Sequence, residues 1–163
     1  MTTPRKRFRV LLVCTGNTCR SPLAEAALRD ALGADRGRVE VRSAGTSAME
    51  GEPASEGSQR VAEADGFDLS SHRSHRLTRE DVRDVDLVLV MERHHRAAVE
   101  ALGVDRGRVK VIDEWPAPGD PGSPVSDPFG GSPEAYEECW RRIRKHVERI
   151  VPHVRESLRA GSS

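Results

Sequence analysis

Short apolar runs alternate with helical patterns along most of the chain. Four apolar runs have the length of buried strands, and the first of them ends directly in turn-forming residues. Between them, apolar residues recur at three- and four-residue spacing, which is typical of amphipathic helices. The pattern predicts strands at residues 8–13, 39–42, 85–91 and 108–112, and helices at 22–32, 54–65, 94–102 and from 133 onward.

Prolines mark several boundaries of these elements. The pairs Ser21-Pro22 and Ser132-Pro133 each combine a good N-cap with a residue that fits the first helical position. Segment 116–128 carries five prolines and is predicted to be a loop. Pro152 is expected to kink or divide the last helix, because proline removes a backbone hydrogen bond from a helix interior.

The alternation of strands and helices predicts an α/β fold, a three-layer sandwich around a parallel sheet. A chain of 163 residues has the size of one domain, so we expect a single domain over 1–163. Its two ends, residues 1–6 and 160–163, are expected to be frayed.

Composition narrows the possible partners and compartments. The 26 Lys and Arg residues balance 26 Asp and Glu residues, so the chain lacks the surplus of cations that nucleic-acid binding needs. The apolar run near the N-terminus is too short for a secretion signal, and no segment resembles a membrane span. We therefore expect a cytoplasmic, monomeric protein without nucleic-acid or membrane partners. Its three cysteines lack zinc-site spacing, which favours reactive thiols over disulfides or a structural metal.

The strongest chemical signal follows the first predicted strand, where parallel-sheet folds bind their ligands. The turn there begins with Cys14, reaches Arg20 six residues later and runs into a helix N-terminus, which attracts anions. A tight loop of this length can bring the thiol and the guanidinium onto one bound anion. Its backbone N–H groups could point inward and form a cradle for an anion. Such a turn needs residues that tolerate a positive φ, and glycine and asparagine tolerate it best. The cradle would comprise Thr15, Gly16, Asn17, Thr18, Cys19 and Arg20, with Gly16 and Asn17 at the positive-φ positions.

This loop has the parts of a phosphoryl-transfer site. Arg20 would hold two phosphoryl oxygens in a bidentate fork, and the cradle would stabilise the nucleophilic thiolate of Cys14. The hydroxyl of Ser21 could donate a hydrogen bond to that thiolate. A general acid is also needed, and Asp127 before Pro128 is the candidate, although an ordinary Asp-Pro turn is the alternative. For the two loop cysteines the alternative is that they are only small buried residues.

The segment 13–22 and the pair Asp127-Pro128 resemble motifs of the low-molecular-weight protein tyrosine phosphatase family. The similarity to this family covers essentially the whole chain. The resemblance implies a four-stranded parallel sheet flanked by helices, no metal or other cofactor, and a cysteinyl-phosphate intermediate. It also implies that Cys14 is the nucleophile, that Arg20 clamps the phosphate, and that Asp127 is the acid and later the base for water. The hydrogen-bond network that holds the loop would comprise Asn17, Ser21, Ser43 and His72. Three other histidines lack such support and are interpreted as surface residues: His75, His94 and His95.

The expected substrates are phosphorylated protein side chains, with inorganic phosphate as a product. A phosphotyrosine ring needs aromatic walls, but Phe129 is followed by Gly130 instead of a second aromatic residue. Thr18 and segment 127–132 resemble the protein arginine phosphatase branch of the family, in which the polar Thr favours phosphoarginine. A planar guanidinium can also stack on Phe129. We therefore predict a preference for phosphoarginine, with phosphotyrosine as the alternative.

Two further readings and one regulatory hypothesis remain. A thioredoxin-coupled arsenate reductase would need another redox cysteine pair, and only Cys139 is left for it. A non-catalytic phosphoprotein-binding module is disfavoured, because nucleophile, clamp and acid are all present. We also hypothesise that peroxide oxidises Cys14 to a sulfenic acid, which Cys19 captures as a disulfide. The alternative for Cys19 is that it fills space under the loop.

Overall fold

The computed structural model describes residues 7–116 and 125–160 and has the predicted alternation of strands and helices. Each predicted element is present, with ends that differ by a few residues. The strands are β1 (Phe8–Cys14), β2 (Val39–Gly45), β3 (Leu87–Val90) and β4 (Val109–Val111), and the α-helices are α1 (Arg20–Leu32), α2 (Glu56–Ala64), α3 (His95–Glu100) and α4 (Pro133–Ala160).

The four strands form one parallel sheet in the order β2-β1-β3-β4. Alternate residues of β1 enter two different apolar clusters. One cluster includes Leu12 and the buried residues of α1 and α4, and the other includes Val13 and Val99 of α3. The sheet therefore lies between two helical layers, which confirms the predicted three-layer α/β sandwich with a four-stranded parallel sheet.

Strand β1 is central, since β2 and β3 pair with its two edges. Its pairing with β2 continues to Cys14 opposite Gly45, so β2 is longer than the predicted 39–42. Strand β1 lies inside the sheet, and the connections from β1 and from its neighbour β3 leave the sheet in opposite directions. In parallel-sheet folds a crevice forms at the carboxyl ends of such strands, and the segment that follows β1 lies there. This position gives the loop after β1 neighbours from several elements.

Of the two predicted effects of Pro152, a kink or a division of the last helix, the division is wrong. Helix α4 continues through Pro152 to Ala160, and its buried residues run from Tyr136 to Leu158. Packing of this long apolar stripe, chiefly against α1, compensates for the one missing backbone hydrogen bond.

Some sequence predictions concern residues outside the described part of the chain. Residues 1–6, 117–124 and 161–163 lie there, so the expected fraying of both ends and most of the proline-rich loop remain predictions. Ala160 itself belongs to α4. Within the described part, no helix combines the length and apolarity needed to cross a membrane.

Candidate active site

The loop between β1 and α1 is a buried polar unit at the carboxyl edge of the sheet. Cys14 and Arg20 are each 2% exposed, and Asn17 and Ser21 are inaccessible to solvent. Helix α1 starts at Arg20 with Cys19 at its N-cap, so the prediction that Ser21 caps this helix is wrong. The Ser21 hydroxyl instead points into the loop, where it contacts the Cys14 thiol.

Two hydrogen-bonding groups meet the sulfur of Cys14. The Ser21 Oγ lies 2.9 Å from the Cys14 Sγ, and the backbone N–H of Asn17 donates to the same sulfur at 3.2 Å. Such donors stabilise the negative charge of a thiolate, which is the nucleophilic form of cysteine. The predicted contact between Ser21 and the thiol is therefore present in the structure.

Asn17 ties the loop to its surroundings. Its φ of 57° lies in the left-handed region, as predicted, whereas Gly16 is not among the glycines with positive φ. The Asn17 amide donates to Ser21 Oγ at 2.7 Å and to Ser43 Oγ at 3.0 Å, and its backbone oxygen lies 2.7 Å from His72 Nε2. Left-handed backbone costs about 1 kcal/mol or more in a residue other than glycine, so these bonds hold a strained turn.

The guanidinium of Arg20 is held by acceptors that the sequence analysis did not identify. Its Nη1 donates to Glu92 Oε1 at 2.6 Å and to the Val125 carbonyl at 3.0 Å. Glu92 follows β3 by two residues, at the same carboxyl edge of the sheet as the loop. That position after a buried strand is the sequence signal by which Glu92 could have been found.

Asp127 and Phe129 lie on the more exposed side of the site. The Asp127 Oδ2 is 3.9 Å from Arg20 Nη2, and the other carboxylate oxygen accepts from the Phe129 N–H at 3.1 Å. The Asp127 side chain is 46% exposed, and Phe129 is 74% exposed. The structure thus brings the predicted acid beside the predicted clamp.

The far end of the loop is attached to helices α2 and α4. The buried thiol of Cys19 donates to Ser55 Oγ at 3.3 Å and lies 3.8 Å from the hydroxyl of Tyr136, whose pKa is raised by burial. The carbonyl of half-buried Thr18 accepts from the Ser55 N–H at 2.8 Å. Cys14 and Cys19 both belong to the apolar cluster that includes the buried residues of α1 and α4, and both are free thiols.

The interpretation of His95 as a surface residue is wrong. His95 is 1% exposed, its Nε2 lies 2.9 Å from the Thr15 Oγ1, and its Nδ1 accepts from the Glu92 N–H at 3.1 Å. Desolvation, aided by the positive charges of His94 and Arg20, lowers its pKa to about 4. Its spacing of four residues from the buried Val99 is the signal in the sequence that places it on the inner face of α3.

The other two histidines differ from His95. The His94 side chain is 62% exposed, which confirms its surface position. His75 is half-buried: its backbone N–H donates to Asn17 Oδ1 at 2.9 Å, and its ring lies between Glu50 and Asp81. Desolvation lowers the pKa of His75, but hydrogen bonds and charges from the two carboxylates outweigh that effect and raise it.

A buried thiol with donors at its sulfur, a guanidinium on the same loop and a carboxylate beside that guanidinium can together hold and transfer a phosphoryl group. Fold and site thus define a cysteine-based phosphatase. Residues 9–160 match the family model described as low molecular weight phosphotyrosine protein phosphatase, and the chain belongs to this family.

Named relatives include both tyrosine and arginine phosphatases. The chain is 34% identical over 137 residues to the low molecular weight protein-tyrosine-phosphatase Etp of Escherichia coli K12, covering 83% of this chain and 87% of Etp. It is 34% identical over 152 residues to a protein-arginine-phosphatase of Geobacillus stearothermophilus, covering 93% and 96%. A solved structure of a YwlE arginine phosphatase mutant with a phosphorylated active-site serine superposes with a TM-score of 0.83 at 30% identity, covering 93% and 99%.

Proposed function

We propose that this phosphatase hydrolyses phosphoarginine side chains of proteins through a covalent phosphocysteine at Cys14. The observation that carries the proposal is the convergence of Ser21 Oγ and the Asn17 N–H on the Cys14 sulfur, on a loop that also carries the buried Arg20. The phosphorylated active-site serine in the YwlE mutant supports a covalent step at such a site. Phosphotyrosine is the second candidate substrate, because tyrosine phosphatases are equally similar to this chain.

The first step transfers the phosphoryl group to the enzyme. The Cys14 thiolate attacks phosphorus, the P–N bond of phosphoarginine breaks, and Asp127 gives its proton to the departing nitrogen. Both Arg20 hydrogen bonds described above leave from Nη1, so the Nε–Nη2 edge of its fork can face two phosphoryl oxygens. Backbone N–H groups of Thr15, Gly16 and the following loop residues complete the binding of the dianion.

The second step regenerates the thiol. Water attacks the phosphocysteine, the Asp127 carboxylate takes the proton from that water, and the S–P bond breaks to release inorganic phosphate. The electron pair of this bond returns to Cys14 as a thiolate. Ser21 Oγ, 2.9 Å from the sulfur, donates a hydrogen bond to this leaving group.

Two features beside the loop support phosphoarginine. Thr18 is a half-buried loop residue that carries a hydroxyl, and the exposed ring of Phe129 offers a flat surface on which a guanidinium can stack. A side-chain oxygen of Asp127, two residues from Phe129, can also accept a hydrogen bond from an N–H of the guanidinium. A phosphotyrosine ring would have aromatic contact with Phe129 but none from Gly130, which has no side chain.

A comparison of two peptides that differ only in the phosphorylated residue tests this preference. We expect wild-type kcat/KM to be at least about tenfold higher for phosphoarginine than for phosphotyrosine. Thr18→Ile should reverse or abolish that ratio, whereas the control Thr18→Ser, which keeps the hydroxyl, should preserve it. A wild-type preference for phosphotyrosine would establish the second candidate, and a ratio that survives Thr18→Ile would remove Thr18 from the explanation.

We further propose a protective disulfide between Cys14 and Cys19. Peroxide would oxidise the Cys14 thiolate to a sulfenic acid, the Cys19 sulfur would attack it with loss of water, and an external dithiol would reduce the disulfide. Cys19 would have to leave Ser55 and Tyr136 to do so. Burial raises the pKa of Cys139 to about 12, which keeps that thiol protonated and unreactive.

Recovery from peroxide tests the disulfide. After peroxide treatment long enough to over-oxidise an unprotected Cys14, dithiothreitol should restore wild-type activity and that of the control Cys139→Ser, but not that of Cys19→Ser, whose sulfenic acid goes on to a sulfinic acid that thiols do not reduce. Equal recovery of all three proteins would exclude protection by Cys19.

The remaining proposals concern the working state of the enzyme. We propose that it acts as a cytoplasmic monomer without metal or cofactor, since a reducing compartment keeps its thiols free. Activity should not change in EDTA, and sedimentation should give the mass of one chain. A loss of activity in EDTA or a stable dimer would contradict these points.

A further inference from the structure

We infer that His95 is a positioning residue that joins the loop residue next to the nucleophile to the acidic residue that holds the phosphate clamp. The inference rests on the proposed roles of Cys14 and Arg20 in phosphoryl transfer. His95 lies in the first turn of α3, which follows β3, whereas the loop after β1 precedes β3 in the chain.

The two hydrogen bonds of the ring determine its tautomer. The Glu92 backbone N–H can only donate, so Nδ1 of His95 must accept and cannot carry a proton. The proton of the neutral imidazole is then on Nε2, which donates to Thr15 Oγ1 at 2.9 Å. A pKa lowered to about 4 by desolvation agrees with a neutral ring at pH 7. Both ring nitrogens are thus used, which suits a side chain that is 1% exposed.

These bonds close a ring of contacts around the site. Thr15 follows Cys14 directly in the chain, and the Glu92 carboxylate accepts from Arg20 Nη1 at 2.6 Å. The path from Cys14 through Thr15, His95 and Glu92 to Arg20 therefore shares only the first peptide bond with the loop backbone and bypasses the remaining residues between Thr15 and Arg20. Fixing the thiol relative to the guanidinium by a second path holds the in-line geometry that phosphoryl transfer requires.

Matched substitutions separate the two bonds of the ring. The carbonyl of Asn can occupy the place of Nδ1 and accept from Glu92, so His95→Asn removes only the bond to Thr15. The amide nitrogen of Gln can occupy the place of Nε2, so His95→Gln keeps the bond to Thr15 and loses the one to Glu92. His95→Leu removes both. His146→Leu is the control, because His146 is also 1% exposed but lies on α4.

We would measure kcat and KM for p-nitrophenyl phosphate, per folded molecule, in the full chain at pH 7. We expect His95→Leu to lower kcat by about tenfold to a hundredfold, with smaller losses for Asn and Gln, and the control to stay within about twofold. Thr15→Val should lower kcat in the wild type but not in His95→Asn, because the bond is already absent there. Folded His95→Leu with wild-type kcat, or equal effects of Thr15→Val in both backgrounds, would overturn the inference.

A spectroscopic measurement needs no variant and does not depend on turnover. Long-range ¹H–¹⁵N correlation spectra of the wild type should show His95 as the Nε2–H tautomer, neutral at pH 7, with ring signals that shift when inorganic phosphate is added. An Nδ1–H or protonated ring, or no response to bound phosphate, would refute the inference. Absence of wild-type turnover would instead refute the proposed function, and these spectra would still report on His95.

Discussion

The nucleophile loop, residues 14–21, and the acid segment, residues 125–131, meet at Arg20 but are built differently. In the loop, the side chains of Cys14 and Asn17 are buried and hydrogen-bonded, and the backbone is held in a strained turn. In the acid segment, Asp127 and Phe129 are exposed. The phosphoryl group is the same in every substrate, so its site can be rigid, whereas the leaving group varies and is met by an accessible segment.

The comparison also indicates where substitutions should act. A preorganised electrostatic site gains its effect from fixed donors, so changes in the loop should affect every substrate. The effect of a substitution in the acid segment on activity should depend on the leaving group or on the side chain that carries the phosphate. The following five predictions test this division.

The largest effect should come from the nucleophile. Cys14→Ser should lower kcat by at least about 10⁴-fold for every substrate, because a serine hydroxyl is far less nucleophilic than a thiolate. Calorimetry with inorganic phosphate should still detect binding, since Arg20 and the loop N–H groups remain. The control Cys139→Ser should keep its activity. Turnover in Cys14→Ser near the wild-type level would remove Cys14 from the mechanism.

Loss of the acid should depend on the leaving group. Asp127→Asn should lower kcat/KM, which reports the transfer of the phosphoryl group to Cys14, by about 10²- to 10³-fold on phosphoarginine peptides, whose leaving nitrogen must be protonated. The fall should be much smaller for p-nitrophenyl phosphate, because p-nitrophenolate leaves without a proton. Equal losses on both substrates would mean that Asp127 acts on the phosphoryl group and belongs functionally with the loop.

His95 should make the buried side of the site sensitive to acid. Its pKa is about 4 in the folded protein against an ordinary 6.5, so between these values the unfolded chain binds a proton that the folded protein does not. The free energy of unfolding should therefore fall by on the order of 3 kcal/mol as pH drops from 6.5 to 4, with the full contribution present above 6.5. Urea titrations at several pH values measure this slope. An equal slope in His95→Asn would assign it to other groups.

Close packing against the loop should make Gly45 intolerant of a side chain. A Cβ at Gly45 would lie 2.5 Å from the Thr15 carbonyl oxygen and 2.9 Å from the Asn17 nitrogen. Gly45→Ala should thus reduce the free energy of unfolding by about 1–3 kcal/mol and lower activity as well. Gly37→Ala is the matched control, because nothing lies within 4 Å of its Cβ position. Urea titration that finds the two variants equally stable would contradict this packing.

The smallest effect should follow from truncation at the exposed segment. Phe129→Ala should change the free energy of unfolding by less than about 0.5 kcal/mol, because the ring is 74% exposed. Its kcat/KM on phosphoarginine peptides should fall by about fivefold through lost stacking, whereas Phe129→Tyr should stay close to the wild type. A marked loss of stability would show that this segment is as tightly packed as the loop.

The amino-acid sequence by itself determined the strands, the helices and the central chemistry. Strand and helix periodicity is local, and so is the run from Cys14 to Arg20, which lies directly between a strand and a helix. The N-cap at Ser132 could also be read locally, and its Oγ accepts from the Ala135 N–H. These features require only residues that are close together in the chain.

Tertiary structure alone decided which distant residues complete the site. Glu92 is 72 residues from Arg20 in the sequence, and His95 is 80 residues from Thr15. Their contacts exist because β3 pairs with β1 and brings the turn after β3 beside the loop. For Ser21 the sequence predicted both a helix cap and a hydrogen bond to the Cys14 thiolate, and the folded loop decided between them in favour of the contact with the sulfur. A local pattern indicates which residues can form a hydrogen bond, and the packing of the sheet determines which partner is within reach.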